Sequence, residues 1–242
     1  MGLFVERLLQ FLLPPICPCC DDFLAEGESG ICPKCLSEIR WIEPPFCSVC
    51  GTPFLSANLP NHPCGVCLTQ KKYFSLARAV GVYEGPLQEA IHRWKYEGKA
   101  TLTPFFGAWM AEAFSRHWAP GEIDLFVPVP LHLHRLRERG FNQALLLAEE
   151  LSRRTGIGHL KRALRKRERT SPQVHLRGAE REKGVKGSFS VAREGDVEGK
   201  NIVLLDDVYT TGATVNECSK VLLAAGALRV DVLTLAHTMR KI

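Results

Sequence analysis

Two sets of residues in this chain have types and spacings suited to chemistry. Eight cysteines fall in four pairs, Cys17 and Cys20, Cys32 and Cys35, Cys47 and Cys50, Cys64 and Cys67, with two residues inside each pair. A tight CxxC turn points both thiolates at one ion, and two such turns complete the tetrahedral sulfur shell that zinc prefers. Eight ligands therefore predict two closed Zn²⁺ sites with a structural role. Pairing in chain order is the simplest arrangement, and an interleaved pairing also satisfies the spacing. Repetition of one spacing argues for metal rather than a disulfide framework. Cys19 is an odd thiol inside the first pair and a competitor for the ion, while His62 reads as a bystander.

The second set lies in residues 202–214, IVLLDDVYTTGAT. Four apolar residues, Ile202 to Leu205, suit a buried parallel strand, and Asp206 and Asp207 follow where that strand would end. From Ala213 the spacing of Val215, Cys218, Val221, Leu222 and Ala225 is helical. Between them, Thr210, Thr211 and Thr214 surround Gly212. Backbone N–H groups at a helix N-terminus, with hydroxyls beside them and a glycine that permits close approach, make a cradle for a phosphate. Two carboxylates accept hydrogen bonds from a vicinal diol. Phosphate at one end and diol at the other describe a ribose 5-phosphate. Simple helix capping needs one hydroxyl residue rather than a run of them.

With those residues in view, DDVYTTGAT resembles the signature of type I phosphoribosyltransferases, which bind phosphoribosyl pyrophosphate (PRPP). The resemblance implies that Asp206 and Asp207 take the ribose. It also implies that Tyr209, Thr210, Thr211, Gly212, Ala213 and Thr214 form the PRPP-binding turn.

The elements that must position these groups read in chain order. Met1 to Leu13 has the pattern of a short amphipathic helix packed on its own protein. Residues 1–70 then form a small module with little core, which metal binding must help to fold. Residues 69–75 are a polar joint, and residues 71–242 form a second domain in which strands and helices alternate. A strand is predicted over 76–84, helices over 85–96 and 103–117, a strand over 123–127, a helix over 144–154, a helix from 213 to about 225 and a last strand over 229–236. Phe105, Phe106, Trp109, Met110 and Phe114 make an apolar helix face that reads as core. Cys218, on an apolar helix face, reads as a buried inert thiol. The alternation predicts an α/β fold, a doubly wound, mostly parallel sheet.

Pro128, Val129 and Pro130 close the 123–127 strand at the edge where open α/β sheets bind ligands. By similarity to type I phosphoribosyltransferases, this turn is the expected pyrophosphate loop. Arg135, Arg137 and Arg139 follow it and suit bidentate contact with phosphate oxygens. The stretch VPVPLHLHRLRERGFNQA resembles the ComF/ComFC competence-protein family, which joins zinc-binding cysteines to a phosphoribosyltransferase-like domain. Likeness to that family makes Gln173 and Arg181 further substrate candidates, in a loop that closes over PRPP. It also implies a cytoplasmic protein with a part in natural transformation. Its expected ligands are PRPP with Mg²⁺ and single-stranded DNA, with a competence helicase or other DNA-processing protein as partner. Mg²⁺ follows from the chemistry, since a pyrophosphate leaving group needs its charge neutralised.

Charge is unevenly placed. The chain carries +5 overall, yet residues 131–186 hold fifteen Lys and Arg against six Asp and Glu. Something anionic is expected to meet that segment, and residues 161–169, KRALRKRER, suit a nucleic-acid backbone or a solvated face. No apolar run approaches the ~18 residues that a membrane span requires. Two functions from different classes fit. One is a phosphoribosyltransferase-like enzyme. The other is a non-catalytic zinc-ribbon adaptor for DNA or a protein, with a regulatory or vestigial PRPP pocket.

Overall fold

The computed structural model describes residues 15–25, 30–56, 60–166 and 185–239. In chain order the helices are α1 (Pro33–Ser37), α2 (Gly65–Thr69), α3 (Gly85–Tyr96), α4 (Thr103–His117), α5 (Leu133–Arg139), α6 (Gln143–Thr155) and α7 (Ala213–Ala224). The strands are β1 (Ala77–Val82), β2 (Leu125–Pro128), β3 (Leu164–Lys166), β4 (Phe189–Val191), β5 (Asn201–Tyr209) and β6 (Arg229–His237). Four of them make a sheet in the order β1-β6-β5-β2 with every pairing parallel, and β3 and β4 form a separate antiparallel pair. None of the described helices is long and apolar enough to cross a membrane.

Alternation along β5 divides the core. Val203 and Leu205 enter a cluster with Trp94, Phe106, Phe126, Leu147 and Leu151, beneath α3, α4 and α6. Ile202 and Leu204 enter a second cluster with Val215, Cys218 and Leu222 of α7 and Phe189 of β4. Strands apolar on both sides are what a parallel sheet covered on both faces requires. The aromatic face of α4 is core as expected, with Phe106, Met110 and Phe114 buried. Cys218 is fully buried, and burial holds its thiol well above the usual range.

The cysteine-rich segment is docked on the sheet rather than strung beside it. Ile42 N–H donates to Val80 O at 3.0 Å and Val82 N–H to Arg40 O at 2.8 Å, with Trp41 bridging to Gly81, so residues 40–42 line the free edge of β1. Further along, Ala77 N–H donates to Val49 O at 2.6 Å. Gly51, at φ +73°, lies so close that an added Cβ would stand 2.6 Å from Ala77 O.

One local reading needs correction. The 203–209 segment stays in register with β6 through Asp206↔Thr234, Val208↔Ala236 and Tyr209↔His237. The strand therefore does not end before Asp206, because β6 continues to offer partners beyond Leu205, from Thr234 to His237. The arginine-bearing stretch after Pro130, to which the sequence reading assigned no element, is helical. His132 Nδ1 accepts from His134 N–H and Gly140 closes the other end at φ +77°, which makes α5 a short capped helix. The expected helix over Met1 to Leu13 lies outside the described residues.

Candidate functional site

The cysteine pairs come together in chain order. Cys17, Cys20, Cys32 and Cys35 form one group and Cys47, Cys50, Cys64 and Cys67 the other, with the sulfurs of each group within 4.8 Å of one another. Interleaved pairing is thereby ruled out. The knuckle backbones face the sulfurs: Cys17 Sγ accepts from Cys32 N–H at 3.4 Å, and Cys47 Sγ from Cys64 N–H at 3.2 Å and Cys50 N–H at 3.4 Å. Such donors favour thiolate. Burial pushes the Cys17 thiol up, but the backbone donors outweigh it and bring the group down to about 6. Four converging sulfurs, backed by amides and without a carboxylate, fit a closed Zn²⁺ centre at each group. Cys19 turns away and donates its S–H to Pro86 O at 3.3 Å. His62 stacks on Phe54, and its Nδ1 lies 2.9 Å from Pro60 O, outside the ligand group.

At the carboxyl edge of the sheet the two acids leave β5 on opposite faces, as a period of two demands. Asp207 faces α3, where Lys95 Nζ lies 2.7 Å from its Oδ1 and both side chains are largely buried. Tyr83 lies on the same side, its phenol raised by burial and then by the Asp207 charge. Asp206 faces α7 and β3, and its Oδ1 accepts from Asp207 N–H at 2.9 Å. Burial, then the neighbouring Asp207 charge, push the Asp206 carboxyl up to about 7. Lys166 on β3 lies within its electrostatic reach, with its ammonium 5.5 Å above the Phe189 ring. Desolvation there, and then the charge of Arg135, lower that ammonium.

The turn that follows is built around Gly212. Its φ of +76° suits glycine, and a Cβ there would stand 2.2 Å from Tyr209 Oη. Tyr209 is thus a buried prop beneath the turn, stacked on His237 at 4.5 Å. Thr210, Thr211, Ala213 and Thr214 are partly exposed around it, and Thr211 Oγ1 accepts from Ala213 N–H at 3.3 Å. The turn and the start of α7 open onto a cavity of about 390 Å³ rimmed by Lys71, Lys72, Lys186 and Lys220. Asn216 ties the joint segment to α7 by accepting from Tyr73 N–H at 2.7 Å, which brings Lys71 and Lys72 to the turn.

Pro128 is the last residue of β2, and Val129 N–H continues its ladder by donating to Leu205 O at 2.9 Å. Asn142, the N-cap of α6, donates from Nδ2 to Val129 O at 3.1 Å. The Pro128-Val129-Pro130 turn is therefore fastened to the strand beside Asp206. Helical geometry separates the three arginines, because positions 135 and 139 share a face and 137 does not. Arg135 is the one placed near Lys166. Arg139 stacks over Tyr96 at 4.8 Å and donates to Tyr96 Oη at 2.9 Å, while Arg137 is exposed. Gln173 and Arg181, with the expected closing loop, lie outside the described residues.

Sequence reasoning missed Lys95, Asn142 and the lysines of the joint. Asn142 carried a signal, an asparagine directly before a helix; Lys95 carried none beyond its place on α3.

Residues 8–68 match the double zinc ribbon domain family, and residues 142–242 match the phosphoribosyl transferase domain family. The chain is 31% identical over 226 residues to competence protein F of Haemophilus influenzae, covering 91% of this chain and 96% of that protein. It is 32% identical over 230 residues to the DNA utilization protein YhgH of Escherichia coli K12, covering 94% and 99%. With competence protein ComFC of Bacillus subtilis the identity is 31% over 226 residues, covering 89% and 88%.

Proposed function

The chain belongs to the ComF/ComFC family, and from that premise we propose that its carboxyl edge binds PRPP with Mg²⁺, in a cytoplasmic protein that handles single-stranded DNA during uptake. The observation that carries the reading is the sequence of groups along one strand end. Asp206 and Asp207 flank it, and a glycine turn then presents a helix N-terminus to a lysine-rimmed cavity. The turn and its lysines hold the 5-phosphate, and the two acids reach the ribose hydroxyls from either side of β5. Lys95, Arg135 and Lys166 supply positive charge for pyrophosphate beside the fastened Pro128-Val129-Pro130 turn. Mg²⁺ accompanies the pyrophosphate and neutralises part of its charge.

A raised Asp206 carboxyl fits this use. Ligand hydroxyls donating to it, and cationic charge arriving with the pyrophosphate, favour the ionised form that burial disfavours. In transfer, pyrophosphate leaves C1 as an acceptor attacks, and the carboxylates stabilise positive charge developing on the ribose ring. The exposed cations Arg137, Lys161, Arg162 and Arg165 offer a track for a nucleic-acid backbone. A DNA-processing protein such as a helicase is the corresponding partner.

Calorimetric titration with Mg²⁺ and PRPP tests the reading. Micromolar affinity is expected, lost on combining Asp206→Asn with Asp207→Asn, and pyrophosphate release in the presence of acceptors would establish transfer. Absence of PRPP binding by the wild-type protein sinks the proposal. DNA affinity that falls steeply with salt and survives the Asp changes, without PRPP binding, would instead support the adaptor function.

A further inference from the structure

We propose that Asn216 is a positioning residue for the phosphate turn: it clamps residues 71–73 to the first turn of α7 and so sets Lys71 and Lys72 against the ligand. Those lysines come from the joint that follows the cysteine-rich module, which thereby takes part in binding. The inference deepens the sugar-phosphate reading of the turn and rests on it. The clamp has two prongs. Asn216 Oδ1 accepts from Tyr73 N–H at 2.7 Å and Nδ2 donates to Lys71 O at 3.3 Å, one bond on either side of Lys72. One partner only donates and the other only accepts, so together they fix which way the amide faces. The Asn216 N–H donates to Gly212 O at 2.8 Å, which puts the clamp one helical turn from the glycine of the phosphate turn. Lys220, four positions along the same face of α7, lies 5.8 Å from the Tyr73 ring, and Lys71 covers that ring at 5.0 Å.

Among the described residues, no other hydrogen bond holds the main chain of 71–73. The neighbouring anchors lie outside it: Gln70 N–H donates to Val66 O at 2.8 Å at the end of α2, and Ser75 N–H donates to Val230 O at 2.8 Å on β6. Between them the chain must bring Lys71 and Lys72 to a cavity already rimmed by Lys186 and Lys220. Glu217 is the one acid among the residues lining it, and its Oε1 accepts from Gly187 N–H at 2.8 Å. Like charges gathered in this way repel one another, and the repulsion pushes the joint off the turn. Asn216 opposes that push before any ligand arrives. A phosphate entering the cavity turns the repulsion into attraction, so ligand and clamp hold the same segment and strengthen each other.

The test is a double-mutant cycle in the full, zinc-loaded chain: wild type, Asn216→Ala, Lys71→Met with Lys72→Met, and all three changes together. Calorimetry reads affinity for PRPP with Mg²⁺, thermal unfolding reads the fold, and hydrogen exchange reads the Tyr73 amide. The lysine pair is expected to weaken PRPP by about tenfold and Asn216→Ala by about fivefold, with unfolding midpoints near wild type. If the lysines act through the clamp, removing them from the Asn216→Ala protein costs only about a further twofold. PRPP should slow exchange of the Tyr73 amide in wild type and leave it fast in Asn216→Ala. A full tenfold loss in both backgrounds overturns the inference, as does an affinity loss that merely follows the unfolding midpoint. Lysine variants that bind PRPP as tightly as wild type also overturn it and leave the sugar-phosphate reading standing. A wild type that ignores PRPP sinks that reading and the inference with it.

Discussion

The two four-cysteine sites have one ligand set and different surroundings. The first is sunk in the larger core cluster, where Cys17, Cys32 and Cys35 pack with Leu87, Trp94 and Phe106. The second has Cys47 and Cys50 buried in the other core cluster with Phe74 and Val215, while its half-buried Cys64 and Cys67 lie beside Thr52, His237 and the turn that precedes α7.

Two substitutions sharpen this contrast between the cysteine sites and two more probe the acids, and the largest effect belongs to the first site. Cys17→Ser removes a fully buried ligand and should lower stability by about 4 kcal/mol, read as denaturant midpoint, with PRPP affinity unchanged in whatever remains folded. Cys64→Ser, at a half-buried ligand of the second site, should cost about 2 kcal/mol and also weaken PRPP, whose proposed turn lies beside it. Equal losses at both sites, with no effect on ligand at either, would erase the distinction.

The acids give the opposite pairing of effects. With Asp206 raised to about 7, the folded state keeps its proton where the unfolded chain has lost it. Wild-type stability should therefore be full below pH 4 as far as this group is concerned, and decline as pH rises to about 7. Asp206→Asn should abolish that decline and gain about 2 kcal/mol at pH 8 in thermal unfolding, while losing PRPP at least about tenfold. A parallel pH profile in wild type and variant would refute the assignment. The smallest effect is expected from Lys95→Met. It should weaken PRPP by about threefold and leave ribose 5-phosphate less affected on the proposed placement of pyrophosphate beside Lys95, with a stability loss as well, because the largely buried Asp207 is left without its cation. Equal weakening of both ligands would place Lys95 elsewhere in the site.

Legibility in the sequence followed the range of the interaction. The CxxC pairs, the turn at residues 210–214 and the helix starts at Gly85-Pro86 and Thr103-Pro104 are local patterns, and they form where the spacing put them. The end of β5 was misread because strand length is settled by the partner strand, and β6 supplies pairing as far as His237. Helix α5 was hidden because Leu133 and Leu136 are its only apolar residues, too few to mark a helical period in so short a segment. The Thr52–His237 contact spans 185 positions, and Lys95 meets Asp207 only through the packing of α3 on the sheet. Contacts of that kind depend on tertiary arrangement, for which no short-range rule exists.

Residues 40–42 carry a consequence for dissecting the protein. They occupy the outer hydrogen-bonding rim of β1, which would otherwise be a bare row of amide and carbonyl groups. A fragment starting after residue 70 would leave that rim uncovered and ready to recruit the same rim of another molecule. The cysteine-rich segment therefore covers that rim, and removing it should yield sticky oligomers instead of a well-behaved domain.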